Sequence, residues 1–249
     1  PMNGVIGMLE LLKDTDLDAK QLEYTEIAHR SAETLLGIIN SILDLSKIET
    51  GKLKLENIDF NLPQTLRSTA DLFQERAKRK NLALRCELDD SLPIRICGDS
   101  TRIGQIITNL MGNALKFTEK GFIELRVWAE KPEPQGNVRI NFEVSDSGVG
   151  IPESSKTQIF ESFAQADDST ARVYGGTGLG LTICRQLVRL MEGEISIKET
   201  SPEKGTTFQF FIRAKLGSPD TSRDDSSTQL HRLNVLLVGD DLYEGPAIG

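Results

Sequence analysis

Four stretches of this sequence carry residue types that could handle a nucleotide. The first is Asn109-Leu-Met-Gly-Asn113-Ala-Leu-Lys116-Phe-Thr118. Asn109 and Asn113 are four apart and Lys116 is three further on, so on a helix the three side chains share a face. An amide oxygen suits a hard cation such as magnesium, and a lysine ammonium is a point charge for phosphate. A polar helix face turned to solvent would show the same pattern. The second stretch, Ser145-Asp146-Ser147-Gly148-Val149-Gly150-Ile151-Pro152, follows a strand-like run. A carboxylate at a strand end can accept a hydrogen bond from an exocyclic amine such as that of adenine, and Gly148 and Gly150 let backbone approach a flat ring. A capped turn would look alike.

The third stretch, Gly175-Gly176-Thr177-Gly178-Leu179-Gly180-Leu181, opens a helical pattern. Unpaired N–H groups at a helix start, with glycines shaping a nest, form a phosphate cradle, although a hinge is glycine-rich too. The spacing is neither G-x-G-x-x-G after a strand nor G-x-x-x-x-G-K-S/T, which disfavours a Rossmann site and a P-loop. The fourth, Gly205-Thr206-Thr207-Phe208, is a turn into a strand and alone reads as a plain hairpin. Their succession between residues 109 and 208 is what favours one convergent site.

These residues need elements to hold them. Residues 1–13 carry Val5, Ile6, Met8, Leu9, Leu11 and Leu12 in a short helical pattern. From 18 to about 49 a longer helix places Ala28, Ala32, Leu35, Ile39, Ile42 and Ser46 on one stripe, widened by Leu36, Ile38 and Leu43. The two predict a helical hairpin that buries its face against another chain, with Gly51 as the stop. Next come a strand over 53–60, a helix over 62–80 with Pro63 in its first turn, and a strand over 82–88. A helix over 99–117 has Asp99 and Ser100 as cap candidates. Strands over 122–129 and 138–144, a short apolar helix near 159–163, a helix over 178–191 and a hairpin of 195–197 with 207–212 complete the pattern. That is an α+β sandwich, one mixed sheet under a helical layer. Residues 217–232 read as a polar linker.

Composition narrows the partners. Hydrophobic residues at 38% and charged residues at 27% suit a folded globular chain. A net charge of −8 argues against nucleic acid, which needs clustered Lys and Arg. No apolar run of about 18 residues predicts a membrane span, so no membrane contact is expected from this segment. Cys86, Cys97 and Cys184 show neither metal-ligand spacing nor a disulfide framework, which fits a reducing, cytoplasmic setting. The chain opens at Pro1 without an initiator Met and reads as a segment of a longer parent, whose membrane anchor, if it has one, is expected outside this segment.

Taken as a set, residues 109–118, 146–152, Phe160-Glu-Ser-Phe163 and 176–181 resemble the N box, first glycine box, F box and second glycine box of sensor histidine kinases. Gly98-Asp-Ser-Thr-Arg-Ile-Gly-Gln-Ile-Ile-Thr-Asn109 is similar to that family's lead-in. The resemblance covers about residues 1–214 and implies the Bergerat ATP-binding fold over 51–216 behind a dimerisation hairpin over 1–50. It implies that Asn113 holds magnesium, Lys116 meets the phosphates, Asp146 takes the adenine amine, Thr206 lines the adenine side and Gly150 passes close to the ring. Asn109, Gly148, Gly176, Thr177, Gly178, Leu179 and Gly180 complete the expected ATP contacts, and residues 153–175 would form a lid.

The front of the chain also matches. Pro1-Met-Asn-Gly-Val-Ile-Gly-Met8 looks like the residues that follow the family's phosphoacceptor histidine, and Ser46-Lys-Ile-Glu49 resembles the end of the second dimerisation helix. The acceptor would therefore precede Pro1. His29 lacks the acceptor's flanking context and reads as a helix-surface histidine, and His231 falls in the linker. Asn234-Val-Leu-Leu-Val-Gly-Asp-Asp241 resembles the first strand of a receiver domain, so 233–249 reads as the start of one and the parent as a hybrid kinase. The implied chemistry is transfer of the ATP γ-phosphoryl group to a histidine in a two-component phosphorelay, through a homodimer and on to a receiver domain or response regulator. The alternatives are a nucleotide-binding dimerisation module without turnover, or an ATPase of the same fold. ATP-hydrolysing relatives place a water-activating glutamate four residues before the metal asparagine. Asn109 stands there and cannot take a proton.

Overall fold

The computed structural model describes residues 2–133, 136–156, 158–161, 178–202 and 204–218. Residues 1–218 form one unit built of a helical hairpin, a seven-stranded sheet and helices on one sheet face. The hairpin pairs α1 (Met2–Lys13) with α2 (Ala19–Glu49). A capping box starts α2: the Asp18 carboxylate accepts from the Lys20 and Gln21 amides, and the Gln21 side chain accepts from the Asp18 amide.

The sheet runs in the order β1 (Ile58–Asn61), β3 (Arg95–Gly98), β7 (Gly205–Leu216), β5 (Asn137–Asp146), β4 (Phe122–Ala129), β2 (Ala83–Leu88). The strand β6 (Glu194–Ser201) also pairs with β7. Every pairing is antiparallel except β2 with β4. Strands β4, β5 and β7 alternate buried and exposed positions, as sheets with one wet face do. Val138, Ile140, Phe142 and Val144 of β5 face the helices beside Phe208, Phe210 and Ile212 of β7, and the Phe142 and Phe210 rings stack at 4.4 Å.

Helix α5 (Ser100–Phe117) lies across that face. Ile103, Ile106, Ile107, Leu110, Met111, Ala114 and Leu115 are buried, a stripe at helical spacing. Asp99 caps it by accepting from the Arg102 amide, and its other carboxylate oxygen accepts from the Glu56 amide. Helix α6 (Gly180–Leu190) packs beside it through Ile183, Cys184, Leu187 and Val188.

The hairpin is joined to this layer. Leu45 enters the core, Ile48 packs against it, and Asp44 accepts from Arg102 at 2.8 Å and Gln105 at 3.0 Å on α5. Higher on α2, Leu35, Ile39, Ile42 and Leu43 stay exposed. His29 is not a surface residue: its side chain is 15% exposed and lies between Glu10 of α1 and Glu33 of α2.

The helix expected over 62–80 is two, α3 (Leu62–Asp71) and α4 (Gln74–Arg79). The break turns Phe73 and Ala77 into the core and leaves Leu72 exposed. Of the strand expected over 53–60 only β1 forms, and Leu53 and Leu55 instead pack on the core as irregular chain. The short strand β3 had no distinct signal. Gly217 and Ser218, expected in the linker, are still tied to the sheet through Arg95 and Asp59. The rest of 217–232 and all of 233–249 lie outside the described residues. Among the described residues no helix is long and apolar enough to cross a membrane.

Candidate functional site

Burial of the apolar stripe of α5 fixes where its polar face points. Asn109, Asn113 and Lys116 sit half-buried along that face. Asn109 lies against α6: its side chain faces the Cys184 thiol, and a Cβ on Gly180 would come within 3.5 Å of its amide oxygen. Burial pushes that thiol up to about 12, so it stays protonated and donates to the Ile106 carbonyl. Lys116 Nζ stands 4.6 Å from the centre of the Phe117 ring, and desolvation holds its ammonium below the usual lysine range.

Asp146 is the last residue of β5 and continues the face of Val138, Ile140, Phe142 and Val144, so its carboxylate looks toward the helices. Its cross-strand neighbours are Ile123 of β4 and Thr206 of β7. Oδ1 accepts from the Gly148 amide at 2.8 Å. Burial raises the Asp146 pKa above the ordinary 3.8, opposed by the amides of Gly148 and Thr206 and by the Thr118 hydroxyl beside it.

The surrounding backbone is packed to the limit that glycine allows. A Cβ on Gly148 would strike the Phe117 carbonyl, and one on Gly205 would strike the carbonyl of Asp146. Gly150 has φ +73, and its Cβ would run into the Ser201 carbonyl. Thr200 pins this corner: its hydroxyl accepts from the Ile151 amide, donates to the Gly205 carbonyl and meets the Thr206 hydroxyl at 2.9 Å. On the far side Gly178, at φ +68, precedes α6, and Leu179 at its N-cap has no polar side chain with which to cap the first turn.

Thus the fold brings the α5 polar face, the Asp146–Gly150 loop, Thr206 and the start of α6 to one end of the sheet–helix interface. Gly176 and Thr177 lie outside the described residues, as does most of the expected lid. Thr118 and Gly205 fell inside the stretches singled out from sequence but were given no role of their own, and Thr200 was not singled out. Only the helical register of Thr118 and the turn at Gly205 hinted at them, and nothing marked Thr200.

The geometry agrees with comparisons to known proteins. Residues 98–216 match the family of histidine kinase-, DNA gyrase B-, and HSP90-like ATPases, and residues 1–51 match the His kinase A phospho-acceptor domain. The chain belongs to the histidine kinases. It is 42% identical over 229 residues to the signal transduction histidine-protein kinase BarA of Escherichia coli, covering 92% of this chain and 25% of that protein. It is 36% identical over 255 residues to the hybrid signal transduction histidine kinase K of Dictyostelium discoideum, covering 97% of this chain and 21% of that protein. The chain therefore spans about a quarter of the length of these relatives. Among solved structures it is similar to full-length ShkA in complex with AMPPNP, with TM-score 0.71 and 33% identity over 88% of this chain and 44% of that one. The catalytic domain of the histidine kinase ThkA aligns with TM-score 0.50 and 31% identity over 66% of this chain and 99% of that one.

Proposed function

We propose that residues 51–216 bind ATP with magnesium and that, in the complete protein, this domain transfers the γ-phosphoryl group to a histidine of a two-component phosphorelay. The observation that carries the reading is the Asp146 carboxylate, turned under the helices and walled by backbone too close for any Cβ. Such a site accepts a flat ring bearing an amine, and Asp146 holds that amine while Gly150 and Thr206 bound the ring. Lys116 draws the phosphates toward α5, and the first-turn amides of α6 face them from the other side. Asn113 would hold magnesium through its neutral amide oxygen, a donor type that suits a hard cation carried in with phosphates. Bound there, the cation neutralises charge on the transferring group.

Asn109 cannot activate water and instead packs against the α6 start, which favours transfer over hydrolysis. The hairpin over 1–50, with Leu35, Ile39 and Ile42 uncovered in one chain, pairs with a second copy. A receiver domain or response regulator then takes the phosphoryl group.

Calorimetry of magnesium-ATP on this chain, Asn113→Ala and Asp146→Ala tests the site. Binding by the unmutated chain and its loss in both variants supports it. A folded unmutated chain that binds no ATP refutes it. The Asp44–Arg102 contact favours a second reading, in which nucleotide is a conformational signal to the hairpin. In that case self-association changes on adding ATP without any transfer.

A further inference from the structure

Thr118 closes α5 and has no solvent exposure. Its amide donates to the Ala114 carbonyl, and its own carbonyl accepts from Lys80 Nζ at 3.4 Å. The hydroxyl lies close enough to the Asp146 carboxylate to lower its pKa, yet its geometry falls short of a full hydrogen bond there, and no other group among the described residues takes it. This is not the usual fate of a helical threonine in this protein. Thr25, Thr34, Thr65 and Thr69 all turn the hydroxyl back onto the carbonyl four residues earlier, at 2.7 to 2.9 Å. Thr118 is instead the C-cap of α5, with extended backbone, and its hydroxyl does not reach that carbonyl. A fully buried hydroxyl without a partner is costly, and a neighbouring threonine solution was not used.

Resting on the assignment of this pocket to adenine, we propose that Thr118 is a positioning residue for Asp146: its hydroxyl donates to the carboxylate when nucleotide enters and so selects a 6-amino over a 6-oxo purine. The carboxylate has room for this. The Gly148 amide occupies Oδ1, which leaves Oδ2 for the ligand amine, and the hydroxyl takes a remaining lone pair. The groups that act on Asp146 are the Gly148 amide from its own loop, the Thr206 amide from β7, and Thr118 from the end of α5. Among the described residues no charged side chain acts on it. Without the hydroxyl the carboxyl takes a proton at higher pH, and a protonated acid donates to the O6 of a 6-oxo purine instead of accepting from an amine.

The test is calorimetry of magnesium-ATP and magnesium-ITP on the unmutated chain, Thr118→Val and Thr118→Ser, between about pH 5 and about pH 8. Expected for Val is an acid limb of ATP affinity moved up by about one pH unit, from loss of a charge-assisted hydrogen bond, with a smaller ratio of ATP to ITP affinity. Serine keeps the hydroxyl and restores both. The unliganded Val variant melts no lower than the unmutated chain, because the orphan hydroxyl is gone. Should Val disturb the packing, Thr118→Ala repeats the comparison. A folded Val variant with the unmutated pH profile and selectivity overturns the proposal and leaves the adenine assignment standing. An unmutated chain that binds ATP at no pH overturns both.

Discussion

Replacing Asp146 by Asn separates what this residue does for the ligand from what it costs the fold. Gly148 donates to Oδ1 at 2.8 Å, a bond that an asparagine oxygen keeps, so the new amide nitrogen must take the place of Oδ2. Two donors then face each other across the adenine amine. The lost charge-assisted hydrogen bond corresponds to about 1.5–3 kcal/mol, or roughly a 10- to 150-fold weaker affinity for ATP. For ITP the same nitrogen meets an acceptor, so its affinity should rise relative to ATP. Stability should move the other way. Burial raises the Asp146 pKa, so its contribution to stability is complete below the ordinary value of 3.8 and is lost as pH rises through the raised value. At neutral pH the ionised carboxylate is therefore a burden that Asn removes, and Asp146→Asn should melt above the unmutated chain, the difference closing toward about pH 3. Calorimetry with both nucleotides and thermal melts by circular dichroism across that range are the assays. An ATP affinity within about twofold of the unmutated chain would refute the amine contact. A lower melting temperature at neutral pH would refute the burial argument.

Further outcomes follow from the packing. Gly205→Ala forces a Cβ into the Asp146 carbonyl at φ +92 and should cost at least about 2 kcal/mol by urea unfolding; a neutral result would contradict the close approach. Phe142→Ala removes a fully buried ring stacked on Phe210 and should cost about 3–5 kcal/mol in the same assay. Asp44→Ala leaves Arg102 with Gln105 alone and should cost about 1–2 kcal/mol while loosening the lower end of α2, read as faster proteolysis there; ATP affinity should stay within about twofold. Ile39→Glu combined with Ile42→Glu should abolish self-association in sedimentation without loss of helicity, since neither side chain is needed inside one chain.

Much of this was legible in the residues. The spacing of Asn109, Asn113 and Lys116 put the three on one face of α5, whereas the buried stripe that fixes where that face points became visible only in the fold. The strands expected over 122–129 and 138–144 formed as β4 and β5, but which of their faces is wet came from the fold. Strand ends were less legible: β5 runs on to Asp146 and β7 begins at Gly205, because cross-strand pairing extends strands beyond their apolar residues. The break between α3 and α4 was invisible, since the residues 62–80 are all tolerable in a helix and only the position of the core selects Phe73 over Leu72. In the site, glycine spacing announced the loop. Thr118 and Thr200 owe their roles to partners far along the chain, and spacing along one element carries no trace of those.

Strand β7 has an implication for the slowest motions of the molecule. It pairs with β5 over ten residues on one edge and with β6 and then β3 on the other, from Thr206 at the pocket to Leu216 beside the tethered Gly217. Its amides open only when the sheet as a whole comes apart, so they should be among the last to exchange with deuterium. The Asp146 and Thr206 end of the proposed pocket thus rests on the most slowly opening part of the protein. Nucleotide should then slow exchange at the Gly148 and Ile151 amides and leave the β7 amides at the rate of global unfolding, lowered only as far as binding deepens that equilibrium.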